Sequence, residues 1–353
     1  MRVSGRLLGL AAIALLAACS LGSVAVADPV ADFYRGRTVT LVVGSDAGGA
    51  YDVYARLLAR YIVRYIPGNP TIIIQNMAGA GSVIATNHVY SVAPQDGTVI
   101  LAPIRTAPFA LILGQPGAQY DATRINWLGS LNNDVGVMQI WGGLGVRSLD
   151  DARRRPLIIG STAPMTDSEE YPALLNNTLG TKFKLVRGYP SINAIQNALE
   201  RGEVQGQENS YLGMAQHFPD WRRKVSVLVQ LSLTKHPDMP DIPLVFDYVK
   251  PEFVTPPFTV EEVRQFWQII LTQQAMGRPY GVGPKVPPER VQALRSAFKS
   301  LLTDAEFKAD AARTNLEIMA LDGSDIQAMI ERVAASPPAV FAKLRELILY
   351  KGE

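Results

Sequence analysis

Two short stretches combine residue types and spacing able to hold an anion. Ser45-Asp46-Ala47-Gly48-Gly49 follows the apolar run TVTLVVG at 38–44, and Ala78-Gly79-Ala80-Gly81-Ser82 follows TIIIQNM at 71–77. Each precedes a segment of helical periodicity. Glycine has no Cβ to keep a ligand from the main chain, and a helix start offers N–H groups without intrahelical acceptors, at the positive end of the helix dipole. Judged alone, either turn is equally a tight strand-to-helix connection that uses glycine for geometry. The pair carries more weight, because ligands of parallel α/β sheets lie at the carboxyl ends of strands, where two such turns make one anion site.

Asp52 opens a helix read over 52–65, where a carboxylate caps free N–H groups and meets the positive end of the dipole. Asp52, Arg56, Arg60 and Arg64 recur every fourth residue. That stripe reads as a solvated charged face, with an Asp52 to Arg56 pair contributing about 0.3 kcal/mol.

Other chemistries lack their residues. A P-loop needs a lysine after its glycines, and neither glycine pair has one. A dinucleotide fingerprint needs Gly or Ala at the sixth position counted from Gly79, where Ile84 stands, and an acid at the end of the next strand, which reads VILAPI. Gly44-Ser45-Asp46-Ala47-Gly48 has its serine one place early for a hydrolase elbow. The histidines are His88, His217 and His236, none spaced as in a zinc motif, and the single cysteine is Cys19. Glu169 and Glu170 stand at a helix start, where carboxylates are stabilised without any catalytic task. No catalytic residue, metal or cofactor is expected.

The elements that must position the glycine turns follow a leader. MRVSGR carries Arg2 and Arg6, LLGLAAIALLAA is an apolar run of signal-peptide length, and small residues come next. Ala25-Val26-Ala27 before Asp28 fits a signal peptidase site and gives a leader of 1–27. Leu16-Ala17-Ala18-Cys19 fits a lipoprotein box and gives 1–18 with an acylated cysteine. Both readings imply export to the periplasm. Without Arg2 and Arg6 the chain has Lys+Arg 32, down from 34, against Asp+Glu 32, so nothing in its net charge calls for nucleic acid. A hydrophobic share of 48% with 19% charged residues describes a globular protein, and its length favours two domains.

Continuous apolar strands alternate with helices: TVILAPI (98–104) follows the two runs above, then INWLGSL (125–131) and VGVMQIW (135–141). The pattern restarts with PLIIGST (156–162), a helix over 168–179, FKLVRGY (183–189), a helix over 192–201 and VSVLVQLS (225–232). Such alternation predicts α/β architecture with parallel strands covered on both faces. After the helix EEVRQFWQIILTQQAM (261–276), the extended GRPYGVGPKVPP (277–288) precedes a helical tail with few strand candidates of its own.

Taken in order, TVTLVVGSDAGGAYDVYARLLA, IIIQNMAGAGS, APQDGTVIL and GRPYGVGPKVPPERVQALRSAF resemble the segments of the Bug-type extracytoplasmic solute-binding receptors of tripartite tricarboxylate transporters. The likeness runs from about Phe33 to near the C-terminus. It implies a two-lobed periplasmic binding protein of the Venus flytrap, type II-like, with a ligand cleft between lobes. Lobe 1 would comprise 28–132 plus 277–353, and lobe 2 would comprise 133–276. The implied role is non-catalytic capture of a small carboxylate-bearing metabolite, a di- or tricarboxylate or an aromatic acid. The implied partners are membrane permease subunits or a sensor, and the implied state is a monomer. An exported enzyme acting on a small organic acid is the alternative, since fold does not fix function.

The resemblance carries ligand contacts to the first-lobe turns, at Ala47, Gly48, Gly49, Gly79, Ala80 and Gly81 with neighbouring Ser45, and the family aspartate to Asp52. Thr106 and Ala107, after the third strand, would face the cleft from the same side. In the second lobe many members have a G-x-G-S turn with a nearby histidine, whereas this chain has GSTAPMTDSEEYPA. Ser161, Thr162 and Ala163 there either meet the ligand with hydroxyl and amide donors or form an ordinary helix cap. Tyr189 either bonds the ligand or packs as a core aromatic. Glu208 and Asn209 end the stretch QGQENS near the cleft, and a carboxylate such as Glu208 repels an acidic ligand unless it is protonated or paired.

Overall fold

The computed structural model describes residues 28–162 and 166–348. Both leader readings, with Cys19, and the expectation for Ala163 lie outside the described residues.

The chain enters through α1 (Pro29–Tyr34), whose first N–H groups are capped by Asp28. It then alternates β1 (Thr38–Val43), α2 (Ala50–Ile62), β2 (Thr71–Asn76), α3 (Val83–Asn87), β3 (Val99–Ala102) and, after a longer connection, β4 (Asn126–Ser130). β1 pairs in parallel with β2 on one side and β3 on the other, so the ends of all three open on one edge. The buried Val39, Leu41 and Val43 on one face of β1, and Val42 on the other, explain why this strand reads as continuously apolar. The helix after the second glycine turn stops at Asn87, and a wider turn over His88–Val92 follows.

Residues 131–135 cross to a second sheet, which begins with β5 (Gly136–Trp141), α4 (Leu149–Arg154), β6 (Leu157–Gly160), α5 (Asp167–Leu179) and β7 (Phe183–Val186). It continues through α6 (Ile192–Glu200), β8 (Gly206–Ser210), the short α7 (Tyr211–His217) and α8 (Trp221–Lys224), β9 (Val225–Leu231) and the long α9 (Val260–Ala275). Thr259 and Glu262 form a capping box that fixes where α9 begins: Thr259 Oγ1 accepts from the Glu262 N–H at 3.2 Å, and Glu262 Oε2 accepts from the Thr259 N–H at 3.0 Å.

The chain then returns to the first sheet as β10 (Pro279–Val282), followed by α10 (Pro288–Leu301), α11 (Ala305–Arg313), β11 (Leu321–Asp322), α12 (Gly323–Ala334) and α13 (Pro338–Leu347). The first sheet has the order β11-β4-β10-β3-β1-β2, and the second has β7-β6-β8-β5-β9. Neither is wholly parallel, which corrects the sequence expectation. β10 arrives from the other lobe and enters antiparallel between β3 and β4, while β5 lies antiparallel between β8 and β9. Long-range return strands of this kind leave no mark on local periodicity.

One hydrophobic cluster joins the lobes. It contains Phe266, Trp267 and Ile270 of α9, Tyr171 and Leu174 of α5, Ile326 and Ile330 of α12, and Phe341 and Leu344 of α13. The last helix lies against α5 and α9, and Asn177 Nδ2 donates to the Leu347 carbonyl at 2.7 Å. The C-terminal tail therefore touches both lobes. Among the described residues no helix is long and apolar enough to cross a membrane.

Candidate functional site

The two glycine turns leave the adjacent strands β1 and β2 and are braced by polar side chains beneath them. Asp52, in the first turn of α2 and 1% exposed, has both carboxylate oxygens engaged. Oδ2 accepts from the Gly48 N–H and from Arg56 Nε, each at 2.8 Å, and Oδ1 accepts from Asn76 Nδ2 at 2.9 Å. Burial opposes ionisation of Asp52, but these hydrogen bonds outweigh it and hold the pKa at about 2. Gly48 takes φ +82°, a conformation glycine adopts without strain. Among the described residues the N–H groups of Ala47 and Gly49 have no acceptor, and Ser45 Oγ is buried without a partner.

In the second turn Gly79, Ala80, Gly81 and Ser82 all have positive φ. Gly79 takes φ +133°, a conformation that L side chains rarely adopt, and a Cβ there would also meet Ile84 Cδ1, the movable end of an exposed side chain, at 2.6 Å. Ser82 ties the turn down: its Oγ donates to the Gly44 carbonyl at 2.6 Å and accepts from the Ile104 N–H at 3.0 Å. Three strand ends are thus joined through one hydroxyl. Asp52 takes the Gly48 N–H for itself and, with Asn76 and Ser82, fixes the two turns from beneath.

From the end of β3 Arg105 reaches across to the other lobe. Its Nη1 donates to Asp134 Oδ2 at 3.1 Å, and its Nη2 pairs with Asp167 at the start of α5. The Arg105 N–H meets Tyr51 Oη at 3.3 Å, and the guanidinium of Arg278 lies 4.3 Å above the Tyr51 ring. Burial works against the charge of Arg105, yet Tyr51, Tyr171, Asp134 and Glu208 hold its pKa above the usual arginine value.

Beside this contact lies a cavity of about 330 Å³, lined among others by Asp134, Asp167, Ser168, Glu208, Asn209 and Gln274. Glu208 and Asn209 occupy the carboxyl end of β8 and are 3% and 4% exposed. Burial lifts the carboxyl of Glu208 to about 8 and that of Glu170 to about 7, with Arg105 opposing in both cases. Glu169 has a different fate: it is fully buried and takes Arg187 through two hydrogen bonds of 2.7 Å, a structural pair. Among the described residues no group of three or more His, Cys, Asp or Glu is arranged to hold a metal ion.

The residues singled out from the sequence fall into several places. Ser45, Ala47, Gly48, Gly49 and Asp52 share the first turn and its brace, and Gly79, Ala80 and Gly81 share the second. Thr106 is half-buried beyond β3, whereas Ala107 is wholly buried with its carbonyl accepting from Tyr120 Oη at 2.6 Å. Ser161 and Thr162 join a hydroxyl network with Ser168, at 3.3 and 3.1 Å, that wraps the start of α5. Tyr189 is half-buried and packs against the cluster of Ile195 and Phe218. Thr162, Glu208 and Asn209 line the cavity. Sequence reading passed over Arg105, Asp134, Asp167 and Gln274. The position of Arg105 just past the third strand was the available signal, while the others are gathered only by the approach of the lobes.

No family model matches the chain. It is 25% identical over 301 residues to protein BugT of Bordetella pertussis, covering 83% of this chain and 86% of that protein. A TctC solute-binding protein from Polaromonas superposes with a TM-score of 0.70 at 17% identity, over 89% of this chain and 99% of the other. An R. palustris protein solved with adipate gives a TM-score of 0.58 at 19% identity, over 88% and 97%. In sequence the chain is thus similar to protein BugT, and in its two-lobed α/β fold it is similar to the TctC and BugD solute-binding proteins.

Proposed function

We propose that the protein captures a small carboxylate-bearing solute in the periplasm, between its lobes, and delivers it unchanged to the permease of a tripartite tricarboxylate transporter. The observation that carries this reading is the pair of braced glycine turns at the ends of β1 and β2, where parallel sheets bind ligands, with the Ala47 and Gly49 N–H groups lacking an acceptor among the described residues. The adipate held by the R. palustris neighbour agrees with a carboxylate in such a cleft. Ser45 Oγ is an additional donor at the first turn.

A thermal-shift panel of di- and tricarboxylates and aromatic acids tests the reading. A ligand at one hundred times its Kd adds about 2.7 kcal/mol to the apparent stability. Gly79→Val should abolish the response of the best ligand while the variant still melts cooperatively. Recovery of a chemically altered ligand after incubation would replace the receptor by an enzyme.

A further inference from the structure

The edge of the second sheet farthest from the cleft is charged differently from the outer helices of the first lobe. On those helices arginines are spent on carboxylates: Arg60 and Arg313 on Asp310, Arg64 on Glu306 and Arg35 on Asp32. At the far edge of the second sheet Arg147, Arg155 and Arg223 are exposed and pair with no carboxylate among the described residues. Arg154, its side chain 77% exposed, meets only Asp151, at 4.0 Å. The sheet gathers these residues from three segments: β5 ends at Trp141, level with Val225 where β9 begins, and β6 begins at Leu157. The segments touch. Arg155 Nη2 donates to the Leu144 carbonyl at 2.6 Å, and a Cβ on Gly142 would lie 2.9 Å from the Lys224 carbonyl. Acids nearby are already engaged, Asp150 with Arg153, Asp151 with the Arg147 N–H, and Glu200 and Asp220 with Lys224. An apolar feature lies among the cations. Trp141 is half-buried, stands edge-on to Phe218 with centroids 6.3 Å apart, and its Nε1 has no acceptor among the described residues. Beside it runs Gly142-Gly143-Leu144-Gly145, with Leu144 half-buried.

We propose that this edge is a docking surface for an anionic phospholipid membrane, on which the protein rests peripherally. An indole with a free N–H, a leucine on a glycine loop and uncommitted guanidinium groups suit the boundary between headgroups and acyl chains. Guanidinium is planar and binds phosphate oxygens in pairs, which a lipid headgroup offers. Because the cations stand on three separate segments, a broad layer of headgroups can meet all of them together. Each one near such a surface raises partitioning about fivefold. Glu208 and Asn209 lie at the opposite end of the β5–β8 pair, so the cleft stays open to solute while the far edge is docked. The surface is separate from the proposed carboxylate site, and its failure leaves that reading untouched.

Cosedimentation of the exported protein with vesicles of phosphatidylcholine alone, and of phosphatidylcholine mixed with phosphatidylglycerol, tests the proposal. In low salt, partitioning onto the anionic vesicles should exceed that onto the neutral ones at least tenfold, and high salt should bring the two together. Arg154→Glu combined with Arg155→Glu should lower anionic binding at least tenfold. Lys299→Glu combined with Lys308→Glu makes the same change of net charge on the first lobe and should leave it within about twofold. All four side chains are exposed, so both double variants should melt as the parent does. The comparison of the two vesicles is read in the unaltered protein and stands without any variant. Equal partitioning onto both vesicles, or none onto either, overturns the membrane surface. An equal loss in the two double variants reduces the effect to net charge and overturns the assignment to this edge.

Discussion

Asn76 Nδ2 donates to Asp52 Oδ1 at 2.9 Å and to the Ser45 carbonyl at 3.0 Å, so the end of β2 holds both the first glycine turn and the helix that follows it. The contact makes Asp52 a brace of the turn from beneath.

Asp52→Ala should therefore cost stability as well as affinity. It leaves the Gly48 N–H without its acceptor and Asn76 Nδ2 with one of its two, at about 1–3 kcal/mol. The ionised carboxylate is favoured in the folded state, so its contribution is fully present above the unfolded carboxylate pKa and is lost as pH falls from about 4 through about 2. Urea midpoints between pH 5 and pH 2 should fall more steeply for the parent than for Asp52→Ala. Parallel curves would remove the brace.

Ser82→Ala deletes the hydroxyl that joins three strand ends. The Ile104 N–H loses its acceptor and the Gly44 carbonyl its donor in a site 1% exposed, again about 1–3 kcal/mol by denaturant titration. Because the two turns lose their common anchor, ligand affinity should drop at least tenfold, and an unchanged Kd would detach the anchor from the site.

Arg105→Met removes a contact made between the lobes. Two partly buried carboxylates on the far side of the cleft, Asp134 and Asp167, lose the cation that ties them to the end of β3. Small-angle scattering of the ligand-free variant should give a larger radius of gyration than the parent. Arg105→Lys should fall between them, since one ammonium cannot hold two carboxylates in the guanidinium's fixed geometry. Identical radii for all three would show that the pair does not hold the cleft.

Glu208→Gln should reverse a pH-dependent penalty. A carboxyl whose folded pKa is raised keeps its proton in the native state while the unfolded chain loses it, so stability falls as pH rises from about 4 to about 8. Asp134 and Asp167 line the same cavity, and Arg105 opposes the rise of both Glu208 and Glu170. The variant should match the parent at pH 4 and exceed it by roughly 1–4 kcal/mol at pH 8. A parent that is equally stable at both pH values would contradict a buried, protonated Glu208.

Much of the first lobe is legible in the amino-acid sequence alone. The apolar run 38–44 and the glycines after it mark a strand and a turn, because burial on both faces and the need for positive φ each restrict the residue types. Asp52 is legible as a helix-start residue, but its tie to Asn76 is not, since the two are distant in sequence. The mixed direction of the sheets escapes sequence reading for the same reason: β10 pairs by the route of the chain through the other lobe, and its own residues say only that it is extended.

By itself the sequence determined the alternation of strands and helices, the two glycine turns, the absence of P-loop and dinucleotide fingerprints and of zinc-motif spacing, and the family resemblance, all of which depend on residues close in the chain. The tertiary structure alone decided that Arg105 spends its charge on Asp134 and Asp167 and that Glu208 is buried beside them without a partner. Those properties arise from distances between lobes and from the loss of solvent around a carboxyl group, and neither is encoded in spacing along the chain.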